Sequence, residues 1–424
     1  MIRPLILSLA ALALAPIALA PAALAEPVAI LGEKVWTGTA QGTLTNGVVV
    51  IDEGEIVSVG TGTAPAGMAT IEAEWVTPGL ISAFSRTGIT EVPGERSAND
   101  TGASASPFSA ALNAADGFNP DATPIAVTRL EGFTRIAVAP DARAKLFAGQ
   151  GFLADTSGLP GSVFEERAFA FLVLGERGAS LSGGSRPAAW TALRGAFDDV
   201  RFFGARYMTH NDGNVLTRMD AQALMPAVKG EQLILIEARR ASDLEAVMDF
   251  KEENPMLKVA IVGADEGWRV ADRLAAMNIP VIVDAFSNLP ASFSQLAATS
   301  ENAGRLAEAG VTVAIVNLDD DSHQARLATQ IAGTAVANGL PFDTAMQALT
   351  TAPAEIFGME GLGVLAPGAR ADVVAWDGDP LEVTSAPTAV FIDGVSEPME
   401  SRQTKLRDRY LSLDTSERPL AYKH

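Results

Sequence analysis

Metal and nucleophile chemistry has few side chains to start from in this 424-residue chain, which contains three histidines and no cysteine. The histidines, His210, His323 and His424, are scattered, and the last closes the chain. Without thiols there is no thiolate metal site, no cysteine nucleophile and no cysteine for a lipid anchor. Carboxylates are plentiful, 51 in all, and densest in Asp319-Asp320-Asp321-Ser322-His323. With so many acids, a chance pair says nothing about glycoside chemistry. No Gly-x-Ser-x-Gly elbow presents a serine, and the lysine in Gly32–Gly38 lacks phosphate-loop spacing.

Positioning such residues falls to a strand-rich scaffold. Val28 to Val35 reads as a strand, and residues 47–51 and 55–59 form a hairpin candidate around Asp52-Glu53-Gly54. Glu74-Trp75-Val76-Thr77 runs into Pro78-Gly79. From Leu80 the rhythm becomes strand followed by helix. Strands are expected at Leu80–Phe84, 136–139, 151–154, 169–174, 233–236, 259–262, 281–283 and 311–316. Helices are expected over 187–207, 241–253 and 266–277, and residues 86–120 read as a long loop. Nearly continuous β-branched runs are what parallel strands covered by helices require. Strands return at 364–365, 372–376 and 389–392. Both chain ends therefore build one small β domain, with the strand–helix region enclosed between them.

The N-terminus stands apart. Arg3 precedes an apolar run from Leu5 to Leu24, broken by Pro16 and Pro21 and closing in Ala23-Leu24-Ala25 before Glu26. That pattern is expected to be a cleaved signal peptide over 1–25, giving an exported chain, periplasmic or secreted, with no membrane span left after cleavage. The formal charge of −20 repels nucleic-acid backbones and anionic membranes, and no basic cluster interleaves with aromatics.

Three segments together resemble the metal-dependent amidohydrolases, in particular their imidazolonepropionase-like and dipeptidase-like branches. They are Val76-Thr77-Pro78-Gly79-Leu80-Ile81, residues 338–358, and Gly363-Val364-Leu365-Ala366-Pro367-Gly368-Ala369-Arg370-Ala371-Asp372-Val373-Val374. The resemblance implies an α/β fold, a distorted (β/α)8 TIM barrel over 77–362. A small β-sandwich domain would come from 26–76 and 363–424. It further implies cleavage of carbon–nitrogen bonds by a metal-activated water, with an aspartate handling the proton.

The family's ligand positions are altered here. Its His-x-His falls on Phe84-Ser85-Arg86, its strand-five histidine on Glu237 and its strand-six histidine on Val262. The strand-eight acid matches Asp320, or Asp319 in a neighbouring register, and the strand-four lysine has no counterpart. Three scattered histidines cannot build a four-histidine binuclear centre, and phenylalanine, arginine and valine lend zinc no lone pair. No cofactor is expected.

Two readings of the barrel rim remain. Glu237 and Asp320 with waters would suit Mg²⁺, Mn²⁺ or Ca²⁺, with Zn²⁺ a further option. Alternatively the guanidinium of Arg86 takes the cation's place against Glu237 or Asp320, sparing a buried acid isolation. Arg239 and Arg240 face either a ligand carboxylate or surface ion pairs. Asp265 and Asp284 either cap helices or loops or face a ligand, and His323 either fixes a turn or takes part in chemistry. The favoured expectation is a protein that binds a small or peptide-like ligand with little or no hydrolysis. One alternative is a divergent hydrolase with Asp320 as base and Arg86 steadying the oxyanion. The other is a non-catalytic subunit in a homo- or hetero-oligomer with an active homologue.

Overall fold

The computed structural model describes residues 27–208, 213–319, 322 and 324–411. The segment 1–25 expected to be a signal peptide, His210, Asp320, Asp321, His323 and His424 lie outside the described residues. Strands β1 (Val28–Trp36), β2 (Thr43–Asp52), β3 (Glu55–Thr61) and β4 (Ala69–Pro78) come first. Eight follow: β5 (Leu80–Ser85), β6 (Phe133–Val138), β7 (Phe147–Asp155), β8 (Val163–Val173), β9 (Leu233–Ala238), β10 (Lys258–Gly263), β11 (Val281–Val283) and β12 (Val313–Ile315). The chain closes with β13 (Val373–Trp376), β14 (Pro387–Ile392) and β15 (Val395–Ser396).

Both chain ends share one open seven-stranded sheet, ordered β15-β14-β13-β4-β1-β2-β3. The expected hairpin is there, with Asp52 opposite Glu55 and with Glu53 and Gly54 both at positive φ. Residues 364–365 do not form the expected strand; they form a loop whose Leu365 N–H donates to the Thr37 carbonyl at 2.7 Å. The other eight strands form a nearly closed barrel in chain order, β12 lying against β5. Among the described residues no helix is long and apolar enough to cross a membrane.

Strand periodicity sorts the barrel's side chains. Ile234, Ile236, Val259, Ile261, Val281, Val283, Val313 and Ile315 pack outward under the helices. Leu235, Ala260, Val262, Ile282, Ala314 and Val316 fill the interior. With a period of two, Glu237 shares the inward column of Leu235 and reaches the interior at the strand's C-terminal end.

The strand–helix rhythm fails at one place. β7 runs antiparallel to both neighbours, while β5–β6 and the pairs from β8 to β12 are parallel. The connections 139–146 and 156–162 are too short for a parallel crossover, which takes about a dozen residues or more. The chain therefore folds back as hairpins. Elsewhere the expected 187–207 helix divides into Arg186–Arg201 and Phe203–Met208, and the 266–277 helix shortens to Ala271–Ala276 after a single turn at Gly267–Arg269.

Gly79, where the small sheet hands over to the barrel, is required by close approach. A Cβ there would stand 2.2 Å from the Thr134 Oγ1 and 2.6 Å from its Cγ2. Gly79→Ala is expected to cost about 1–3 kcal/mol through overpacking, read as a lower urea midpoint. An unchanged midpoint would show that the two strands yield there.

Candidate functional site

The site lies at the C-terminal ends of the barrel strands, where loops gather side chains that the strands hold in register. Phe84 ends β5 inside the barrel, buried, its ring edge-on to Phe171 at 5.2 Å between centroids. Val262 is likewise core. Both matched ligand positions thus serve packing.

Glu237, on the fifth barrel strand, lies between two arginines. Arg177 Nη1 donates to one carboxylate oxygen at 3.0 Å and Arg239 Nε to the other at 3.4 Å. Arg177 belongs to the short helix Gly175–Leu181 just after β8, and its Nη2 donates to the Asp141 carboxylate and to the Ala142 carbonyl. Asp141 follows β6 and also meets Arg143 at 2.8 Å and Arg86 at 3.5 Å. Arg239 Nη1 continues to Asp265, after β10, at 3.3 Å. The rim thus carries an alternating series, Arg86–Asp141–Arg177–Glu237–Arg239–Asp265, drawn from the ends of five strands.

Burial pulls the Arg177 and Arg239 guanidiniums towards losing their protons. Their carboxylate partners outweigh it and hold both above the ordinary arginine value, Glu237 and Asp141 for Arg177, Asp265 and Glu237 for Arg239. Both therefore stay cationic at any working pH. Two fixed positive charges stand at Glu237, the position the family gives to a metal-binding histidine.

The sequence expectation paired Arg86 with Glu237 or Asp320. In the structure Arg86 Nη1 donates to the Ala139 and Pro140 carbonyls at 2.8 and 2.6 Å, and among the described residues the acid beside it is Asp141 rather than Glu237; Asp320 lies outside them. Arg177, in the helix after β8, reaches Glu237 instead. Arg177, Asp141 and Arg143 were not singled out from sequence, because the hairpins around β7 obscured which residues ended a strand. Arg177 nonetheless lies four residues past Val173, a strand-end spacing that would have exposed it.

Asp265 does not cap a helix. It accepts from Gln295 Nε2 at 3.0 Å and from the Ser287 hydroxyl, tying the loop after β11 to the rim. Asp284 does fix a loop: its two oxygens accept from the Phe286 and Leu318 N–H groups at 2.9 and 3.1 Å. Burial raises its pKa above the usual aspartate value; the two N–H donors oppose this, and nearby Asp319 and Asp265 add to it. Arg240 makes local contacts, with the Ser242 hydroxyl at 2.7 Å and Asp243 at 3.9 Å. Of the Arg239–Arg240 pair, only Arg239 lines the rim cavity.

That cavity, about 380 Å³, is bounded by Arg177, Glu237, Arg239, Asp243, Ser294 and Gln295 among others. Its acids are engaged: Asp243 by Arg186 at 2.6 and 2.9 Å, and Glu176 by the Ser294 hydroxyl at 2.8 Å. Arg177 Nε and Arg239 Nη2 have no acceptor among the described residues. A larger cavity of about 700 Å³ lies at the opposite end of the strands, beside Leu233 and Lys258, and contains none of these groups. Among the described residues no group of three or more His, Cys, Asp or Glu is arranged for a metal. The family's metal does not fit this donor set: two of its positions are hydrocarbon, a third is a cation, and the acid on β9 already has both oxygens engaged by guanidiniums.

Comparison with known proteins agrees with the architecture. The amidohydrolase family model matches residues 334–396, the last barrel helices and the return to the small sheet. Amidohydrolase tasK of Hapsidospora irregularis is 24% identical over an alignment of 360 residues that covers 77% of this chain. The chain spans only about a third of that relative, 36% of its length. An amidohydrolase structure from Thermotoga maritima superposes with a TM-score of 0.77 at 22% identity, covering 87% of this chain and 99% of that one. A prolidase complexed with N-methylphosphonate-L-proline gives 0.52 at 18%, over 87% and 99%. At such identities the structural likenesses speak to the fold. In fold and sequence the chain is thus similar to the amidohydrolases, and its barrel rim sets arginines against a carboxylate at Glu237, where the resemblance places a histidine.

Proposed function

We propose that this protein is an exported amidohydrolase-like binder that takes a small or peptide-like ligand in the rim cavity and hydrolyses it little or not at all. The observation that supports this most is the clasp of Arg177 and Arg239 on Glu237. A metal-bound water needs a cation with open positions, whereas a guanidinium offers only N–H donors. Arg177 Nε and Arg239 Nη2, without acceptors among the described residues, suit a carboxylate or carbonyl oxygen of such a ligand. The likeness to a prolidase that holds a proline derivative favours the peptide-like class. Export rests on the leader pattern of residues 1–25.

Elemental analysis of protein purified without chelator should find metal well below one equivalent per chain. Dipeptides and cyclic amides should not turn over with or without added Mn²⁺ or Zn²⁺, while binding measured by calorimetry persists without metal. Metal-dependent turnover abolished by Asp320→Asn would refute the reading and return the chain to the hydrolases.

A further inference from the structure

The loop after β11 has two unlike faces. Between Ala285 and Ser300 there is no charged residue, although the chain carries 82 charged side chains, 31 basic and 51 acidic. Its inner face is polar and pinned to the rim. Ser287 and Gln295 hold Asp265, and Ser294 bridges Glu176 and Arg186. The Ala297 N–H donates to Glu266 at 3.0 Å, and its carbonyl accepts from Trp268 Nε1 at 2.8 Å. Its outer face presents Phe286, Leu289, Phe293 and Leu296 to solvent, exposed to 49, 72, 82 and 63%. A strap held by at least six polar ties is fixed in place, so these side chains stay outside.

Exposure on this scale needs a reason. With roughly 200 Å² for a phenylalanine and somewhat less for a leucine, the four offer on the order of 500 Å² of apolar surface. A stable complex takes about 800 Å² from each partner. An adjoining groove extends this surface. Phe286 also borders this groove of about 480 Å³, lined by Val336, Ala337, Phe342 and Leu381 beside the acids Asp379 and Glu382, with exposed Val383 at its edge. One surface thus carries protruding apolar side chains and a partly apolar recess, the two halves of a self-complementary contact. The strap itself carries no charge, so contact through its outer face sets no like charges against each other.

We infer that the outer face of the 285–300 strap, with the adjoining groove, is a dimer interface for a second copy of this chain. Pairing would cover the strap from outside while its serines and Gln295 roof the rim cavity from within. This stands apart from the ligand proposal, because the interface exists whether or not the cavity binds anything.

Analytical ultracentrifugation of the purified protein at micromolar concentration tests it. The wild type should sediment as a dimer. Leu289→Asp with Phe293→Asp should sediment as a monomer with an unchanged circular dichroism spectrum, the dissociation constant rising on the order of 30-fold or more as expected when two anchor residues are lost. Val57→Asp, on exposed β3 of the small sheet, should remain dimeric. A monomeric wild type overturns the inference, whether it stays alone, pairs only with a different protein or floats with neutral phosphatidylcholine vesicles. A dimer that survives the paired strap substitutions overturns it equally.

Discussion

Replacing Arg135 by alanine is expected to cost about 3–5 kcal/mol of folding stability, as when one member of a buried ion pair is removed. Arg135 rises from β6 into the junction between barrel and terminal sheet, its side chain 1% exposed. Its Nε and Nη2 donate to the two oxygens of Asp372 at 2.7 Å each, and Nη2 also reaches Asp393 at 2.8 Å. Burial would raise the Asp372 carboxyl, but Arg135 and the Asp393 N–H outweigh it and hold it below the usual aspartate range. Truncation leaves that acid buried with its cation gone. The pH dependence has a definite sign. A depressed folded-state pKa stabilises above the unfolded value of about 3.9, and that stability is lost as pH falls through the lower folded value. In Arg135→Ala the unpaired acid gains by protonation, so the gap between variant and wild type should narrow on acidification. Urea denaturation at neutral pH and near pH 4 measures both. Equal midpoints at neutral pH would mean that the junction is held by packing alone.

The second large effect concerns the rim. Arg177→Met with Arg239→Met removes both cations from Glu237, and the expected loss is about 2–4 kcal/mol. The figure is set below a fully buried pair because the two arginines are 35 and 31% exposed and water screens them. Glu237, Asp141 and Asp265 then lose the guanidiniums that link them. If guanidiniums stand in for a metal, a divalent cation should regain a foothold. Mn²⁺ should raise the melting temperature of the double variant by several degrees and leave the wild type unmoved, by the linkage between binding and stability. A double variant as stable as wild type and indifferent to Mn²⁺ would reduce the clasp to a surface decoration.

Much of the architecture was legible from patterning. Alternating and continuous apolar runs locate β1, the β2–β3 hairpin, β9 to β12 and the return of β13 and β14, because burial of one or two strand faces dictates those patterns. The Pro-Gly junction at 78–79 and the Gly-Ala-Arg-Ala-Asp segment marked where one unit gives way to the other. Glu237 was singled out by its place in the family's pattern, just after the apolar run 233–236. Its partners were not, because ion pairs follow spatial neighbours rather than sequence neighbours. Arg177 and Asp141 flank the region where β7 reverses, and there hairpin connections resemble the loops of a parallel unit. Arg86 was singled out by its place in the family's pattern, yet its reach takes it to the backbone after β6.

The reversal of β7 also redistributes the connecting loops. In a fully alternating barrel each strand sends one connection to the functional end. Here residues 139–146 serve β6 and β7 together at that end, and 156–162 turn at the far one. One fewer loop stands around the rim cavity, and the turn at 156–162 lies away from it at the other end of the strands. Lengthened by a few glycines and serines, that turn should alter folding while leaving the ligand's affinity where it was.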